Sequence, residues 1–281
     1  MSEDTNDAPA IVWSIAGTDS GGGAGLSADQ RAADAFGVHL CPVVAAVTAQ
    51  NSVAVTRVEP VSATVLDAQL RALDADLPPQ AVKTGLLGGV EQVRVVAHWI
   101  DRLRRRAPVA LVVDPVLAAS TGTGFADAAT LAAYREHLLP RATLVTPNRR
   151  EAARLLDAAE APVGGVPAQA RLLQARGAEA VCITGGDALD AGGRALDWIA
   201  TPEADGWLAA PRQAVAHRHG TGCTFASAAA AALASGFVAA DALVLAKLAT
   251  GHALRHGRPA GAGAGPVRAT PGFAVEPALM P

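Results

Sequence analysis

Lysine is almost missing from this chain: Lys83 and Lys247 stand against 21 arginines in 281 residues. The 23 basic residues are spread among 26 acidic ones, the net charge is −3, and no basic stripe runs through the sequence. That balance argues against nucleic acid and anionic membrane as partners and leaves small polar substrates open. Cysteine is scarce as well. Cys41, Cys182 and Cys223 are too few for a disulfide scaffold and have no paired metal-ligand spacing. No run is long and apolar enough to span a bilayer, and Met1 to Asp7 is acidic and polar, unlike a signal peptide. A cytoplasmic location is expected. Aromatic residues reach only 4%, but 51% of the chain is hydrophobic, enough for one large core or a core with a small attached lid. Neither internal repeats nor a second core is visible.

A Walker A loop is also absent, since Gly-x-x-x-x-Gly-Lys-Ser/Thr occurs nowhere. Present instead is His219-Gly220-Thr221-Gly222-Cys223-Thr224-Phe225-Ala226-Ser227, which opens into an Ala-rich helical run. A helix start of this kind turns free backbone N–H groups and the positive end of the peptide dipoles toward an anion. Gly220 and Gly222 let the backbone approach a phosphate closely, and Thr221 and Thr224 are expected to add hydroxyl donors. Cys223 sits where a helix terminus acidifies a thiol. The alternative is a glycine-rich helix start with a buried structural cysteine, and the short Gly-Thr-Gly pattern does not separate the two.

From the other end, Ile11 to Ala16 reads as a buried strand, followed by a glycine loop through Gly25 and a helix from about Leu26 to Phe36 stopped by Gly37. Gly23-x-Gly25-x-x-Ala28 matches a loose dinucleotide fingerprint, but no acidic residue follows where a ribose would need one. The loop is expected to wrap a small substrate, against a plain flexible turn. Leu40 to Thr48 reads as a strand that delivers Gln50 to the C-terminal edge, where parallel sheets bind ligands. Its amide donates and accepts in one plane, which suits an aminopyrimidine edge; a solvated turn amide is the alternative. Val53 to Val58 follows too closely for a crossover helix and reads as a small lid strand.

Ser62 caps a helix to Asp74, and Ala81 to Leu87 is the next strand and its exit. It carries Lys83, which either points into a polar crevice or snorkels to the sheet rim. After a helix over Val90–Arg106, Val109 to Val113 delivers Asp114 as a crevice carboxylate, ahead of the glycine-broken loop Ser120 to Gly124. A helix from about Asp127 to Leu139 and a strand at Leu144 lead to Pro147, Asn148 and Glu151. Asn148 and Glu151 have the spacing of a helix cap with its reciprocal acid, and such a pair at a strand end can also serve a hydrated Mg²⁺. Cys182, in the strand Ala180 to Ile183, reads as a packing residue. Ala195 to Ala200 and Gly206 to Ala209 read as an antiparallel edge pair, leading to His217, taken as a surface-loop residue, and His219, whose role stays open. Helices over Cys223–Ser235 and Ala239–His256 complete the pattern. Gly257 to Pro281 is expected to be a mobile tail.

Taken together, Ala16 to Gly25, Thr48-Ala49-Gln50-Asn51-Ser52, Lys83-Thr84-Gly85-Leu86-Leu87, Val113-Asp114-Pro115-Val116, Thr146-Pro147-Asn148-x-x-Glu151 and His219 to Thr224 occur in one order. This set resembles the hydroxymethylpyrimidine/phosphomethylpyrimidine kinases of thiamine biosynthesis, in the ribokinase-like superfamily. The resemblance implies an α/β fold, three-layer αβα with a mostly parallel sheet and a small β lid, in which residues 10–256 form the kinase domain behind a flexible 1–9. It implies ATP and Mg²⁺ as cofactors, a pyrimidine phosphorylated first on its hydroxymethyl group and then on the monophosphate, and a homodimer. By motif position Gly17, Asp19 and Gln50 would hold the pyrimidine, with Leu86 and Val116 as apolar walls. Gly220, Thr221, Gly222 and Cys223 would form the anion hole, and Asp114, Asn148 and Glu151 would organise Mg²⁺ and its waters, with no direct protein ligand assured. Wider relatives have Asp where Cys223 stands, and pyridoxal kinases share the Cys, so pyridoxal phosphorylation is the alternative; a non-catalytic pyrimidine sensor is a further one. Two departures stand out: Thr184 where relatives often have Lys, and Leu86 where they often have Met. Lys247 could replace the lost Lys, against a solvated surface position.

Overall fold

The computed structural model describes residues 8–118, 122, 124–186 and 193–271. Expectations for residues 1–7, for Ser120, Thr121 and Thr123, and for 272–281 fall outside the described residues. The elements run in chain order as β1 (Ile11–Gly17), α1 (Gly25–Phe36), β2 (His39–Gln50), β3 (Val55–Pro60), α2 (Ala63–Asp76), β4 (Ala81–Thr84), α3 (Val90–Arg104) and β5 (Ala110–Val113). There follow α4 (Ala128–Ala133), β6 (Leu144–Val145), α5 (Arg149–Leu156), α6 (Val166–Ala175), β7 (Ala180–Ile183), β8 (Arg194–Ala200), β9 (Asp205–Pro211), α7 (Thr221–Ala234) and α8 (Ala239–Arg255).

The strands form one sheet in the order β3-β2-β1-β4-β5-β6-β7-β8-β9. β2, β1, β4, β5, β6 and β7 pair in parallel, while β3 and β8 run antiparallel to their inner neighbours. Period-two alternation sorts two cores across it. Trp13, Ile15, Leu111, Val113, Val181 and Ile183 face α2, α3, α5 and α6, whereas Val12, Val112, Ala180 and Cys182 face α1, α7 and α8. This is the expected three-layer αβα arrangement, and burial on both faces is why the central strands read as continuous apolar runs. The alanines of α7, Ala228 to Ala232, are fully buried, so the helix lies close against the strands.

The chain leaves β1 toward β2 on one side and returns to β4 on the other. A sheet that reverses its winding in this way opens a crevice beyond the carboxyl ends of the strands at the reversal. Ser62 accepts from Val65 N as the cap of α2, and Gly37 closes α1 in the left-handed conformation at φ 68°. The helix expected over Asp127–Leu139 begins as α4 and passes into a π turn at Tyr134–Leu138.

The Val53–Val58 strand, expected not to be central, is β3, which pairs antiparallel with β2 as the exposed edge of the sheet. Two expectations are corrected. Residues 257–271 are held against the body, because His219 N donates to Gly265 O, Val267 N to His219 O, and Val267 is fully buried. Lys247 is not a solvated surface residue; its ammonium donates to Asp197 Oδ2 at 2.6 Å and to Ala195 O at 3.0 Å. No helix among the described residues is long and apolar enough to cross a membrane.

Candidate active site

The glycine loop after β1 is closed on itself. Asp19 Oδ1 accepts from Gly21 N, and Oδ2 accepts from Gly23 N and Ala24 N, at 2.8–3.0 Å. Arg31, in the second turn of α1, donates to Gly22 O and Gly23 O at 2.9 and 3.1 Å. Those amides and carbonyls are occupied, so the loop shapes a wall rather than a phosphate cradle. Asp19, expected to touch substrate, spends both oxygens on the loop. Burial works against its charge, yet the His219 hydrogen bond and the backbone donors Ala24 and Gly21 hold its carboxyl below the usual range.

His219 joins this loop to the far end of the chain. Its Nε2 lies 2.9 Å from Asp19 Oδ2 and 3.2 Å from the side-chain nitrogen of Gln50, so the role left open by the sequence is a bridge between two elements of the crevice. Gln50 is further fixed through its backbone, which exchanges hydrogen bonds with Ser20 Oγ at 2.7 and 2.8 Å. Gly17 and Leu86 also meet, since a Cβ on Gly17 would stand 3.0 Å from Leu86 Cδ2. Val116, partly exposed, follows Asp114 in a tight turn with its N–H on Asp114 O at 2.9 Å.

Gly220 caps α7 at φ 84°, a conformation that L side chains rarely adopt, and a Cβ there would run into Gly23 O. The first-turn amides of Gly222 and Cys223 have no partner within the helix, Thr221 N donates back to Arg218 O at 3.4 Å, and Gly222 is exposed with open space beside it. They lie at the helix start where the sequence placed an anion site. Two details differ. Thr221 Oγ1 donates to Arg218 O at 2.6 Å rather than facing a ligand. The Cys223 thiol is not acidified: burial, opposed by the nearby Lys83 and helped by Asp114 and Asp29, pushes it up to about 12.

Behind the terminus lies a buried ionic cluster that sequence reading missed. Lys83 Nζ donates to both oxygens of Asp29 at 2.9 and 3.0 Å and lies 3.8 Å from Asp114 Oδ2. Ser14 Oγ on β1 and Ser227 Oγ on α7 also donate to Asp29, at 2.6 and 2.8 Å. Lys83 is fully buried, so the snorkelling alternative is excluded and the inward one holds. The signal was available in the alternation: Ser14 shares the face of Val12 and Lys83 that of Ala81, both turned toward α1 and α7. Asp29 tethers two helices and two strands at one point.

Asn148 and Glu151 form the reciprocal cap. Asn148 Oδ1 accepts from Glu151 N and Glu151 Oε2 accepts from Asn148 N, both at 2.9 Å. Arg154 donates to Leu117 O at 3.0 Å, which ties α5 to the Asp114 loop. Burial, helped by Asp29 and opposed by Lys83, lifts Asp114 to about 6, and burial with Asp114 nearby lifts Glu151 to about 8. Asp114 Oδ2 is buried with no hydrogen-bond partner among the described residues, and so is Thr146 Oγ1 at the end of the neighbouring strand. Two carboxylates, one of them with an oxygen that faces the Lys83 ammonium at 3.8 Å but makes no hydrogen bond, are an oxygen-only donor set that fits Mg²⁺ retaining most of its waters. Among the described residues no group of three His, Cys, Asp or Glu could enclose a metal alone.

A family model described as phosphomethylpyrimidine kinase matches residues 19–268. The chain is 40% identical over 257 residues to the hydroxymethylpyrimidine/phosphomethylpyrimidine kinase of Synechococcus elongatus, covering 92% of this chain and 96% of that one. It is 38% identical over 256 residues to the thiamine biosynthesis bifunctional protein ThiED of Geobacter sulfurreducens, covering 91% of this chain and 51% of the relative. Among solved structures, an ADP complex of Bacillus subtilis pyridoxal kinase superposes with a TM-score of 0.85 at 29% identity, over 93% of this chain and 98% of that one. With its motifs gathered at one crevice and these relatives matched along nearly its whole length, the chain belongs to the phosphomethylpyrimidine kinase family and is a kinase.

Proposed function

We propose that this enzyme transfers the terminal phosphoryl group of ATP to the hydroxymethyl group of 4-amino-5-hydroxymethyl-2-methylpyrimidine, and then to the resulting monophosphate, in thiamine biosynthesis. The observation that carries the reading is the meeting of Gln50 and His219, three residues before the exposed Gly222 amide. A ring held at Gln50 between Gly17, Leu86 and Val116 would present its hydroxyl toward the terminus of α7. The Gly222 and Cys223 N–H groups would take up charge on the transferring phosphoryl group, where fixed donors act most strongly.

Asp114 and Glu151 would hold Mg²⁺ through its waters, with Asn148 keeping Glu151 in place. When bound, the ion supplies charge neutralisation for the phosphate oxygens. A thiol pushed up to about 12 stays protonated at neutral pH, so Cys223 acts through its backbone and its shape rather than as a resting thiolate base. Phosphoryl transfer depends mainly on positioning and charge, and the site is built for both. Thr184 contributes no cation to the phosphates, and Lys247 does not replace one because it is engaged with Asp197.

The fold shared with pyridoxal kinase keeps pyridoxal as the rival substrate. Mass spectrometry of products after incubation with ATP, Mg²⁺ and the pyrimidine tests the proposal. Sequential appearance of monophosphate and diphosphate is expected, and preferential turnover of pyridoxal in competition would overturn it. Absence of ADP release with the pyrimidine would favour a silent sensor. The same reading includes a cytoplasmic homodimer, which light scattering of the purified chain and its localisation in cells would check.

A further inference from the structure

We infer that residues 257–268 are a positioning strap for the ring-binding side of the crevice, holding the His219 backbone at one end and Ser52 at the other. The strap pins both backbone groups of His219: His219 N donates to Gly265 O at 3.1 Å, and Val267 N donates to His219 O at 3.0 Å. Toward the other side, Gly263 N donates to Ser52 Oγ at 3.1 Å. Gly265 N donates to His217 Nδ1 at 3.1 Å, so His217 belongs to the strap and not to a free surface loop. Arg258 N on Pro266 O and Arg268 N on Ala253 O fold the segment back on itself and tie it to α8. Val267 is buried, and a Cβ on Gly263 would collide with Ser52 O, which shows how closely the strap lies on the end of β2.

The consequence follows from what the two anchor points flank. His219 Nε2 contacts Gln50 and Asp19, and Ser52 lies two residues beyond Gln50. A Gln side chain has three rotatable bonds, and it reads a ring edge well only if its neighbours restrict them. One segment from the far end of the sequence supplies that restriction on both sides. Among the described residues no strap hydrogen bond reaches Asp114, Glu151 or Gly222, so the phosphate side is not tied to it.

This role rests on the proposed pyrimidine reading, and the test separates the two. Ser52→Ala, Gly263→Val and Val267→Ala are made in the full chain. Loss of an ordinary hydrogen bond predicts a rise of about two- to tenfold in KM for the pyrimidine. Weaker ground-state positioning leaves kcat at saturation and KM for ATP near wild type. An equal rise in KM for ATP, or no change in either KM, would overturn the strap. Amide hydrogen exchange supplies a readout that needs no turnover. Faster exchange over residues 48–54 and 216–219, with 110–117 and 220–224 unchanged, is expected in Gly263→Val, and unchanged exchange over the first two stretches refutes the strap even if the pyrimidine proves not to be the substrate. Should Val267→Ala fail to fold, Ser52→Ala, which removes one hydroxyl, carries the kinetic test.

Discussion

Asp114→Asn should make the ligand-free protein more stable and the enzyme worse. In the folded chain Asp114 is lifted to about 6 from an ordinary 3.8, with burial as the main cause, so the native state holds its proton more tightly than the unfolded chain does. As pH rises from about 4 to about 6 the unfolded chain releases the proton first, and stability falls. Above the folded pKa the penalty is complete. A shift of roughly two pH units at about 1.4 kcal/mol each amounts to about 3 kcal/mol. Asparagine removes the charge while keeping the shape, although its amide hydrogens need partners, so a net gain of about 1–3 kcal/mol is expected at pH 8 without nucleotide or Mg²⁺. For a domain of this size that corresponds to about 3–9 °C in Tm. Urea titration at pH 5 and pH 8 would measure it, with a larger gain at pH 8, and activity would fall by about 10–100-fold if Asp114 supports the cation. A variant less stable than wild type at pH 8, or a gain identical at both pH values, would refute the reasoning.

Lys83→Met leaves Asp29 buried without its cation and should cost about 3–5 kcal/mol, with part of the loss recovered in the Lys83→Met/Asp29→Leu pair; a single variant within 1 kcal/mol of wild type in urea would mean the cluster is not ionic. Gly220→Ala places a Cβ at a left-handed residue against Gly23 O, so a loss of more than about 1 kcal/mol and a collapse of kcat are expected, checked by thermal melts and steady-state kinetics. With its thiol pushed up to about 12, Cys223 should react with iodoacetamide at pH 8 at least about tenfold more slowly than an unhindered cysteine; rapid labelling at pH 7 would instead show an activated thiolate.

Local patterns made most of the fold legible. Ser62 and Gly37 mark helix ends because caps are local hydrogen-bond problems, and Asn148 with Glu151 could be read as a reciprocal cap for the same reason. The Gly220-to-Cys223 helix start was legible because it is set by helix geometry and local glycines. Less visible were contacts between residues far apart in the chain. His219 is unremarkable beside its neighbours until it stands between Asp19 and Gln50, 200 and 169 residues away. The acidity of Cys223 was misjudged because a helix terminus is one influence among several, and only packing reveals the desolvation that raises the thiol despite Lys83 nearby.

Composition and period by themselves determined an α/β chain with buried parallel strands, a glycine loop after the first strand and a glycine-opened helix start near the end, since each depends on neighbours within a few residues. Tertiary structure alone decided that Lys83 is spent on Asp29, that 257–268 packs against His219 and Ser52, and that Asp114 keeps an oxygen without a hydrogen bond. Those outcomes depend on which faces meet across the sheet, and no stretch of sequence carries that information by itself.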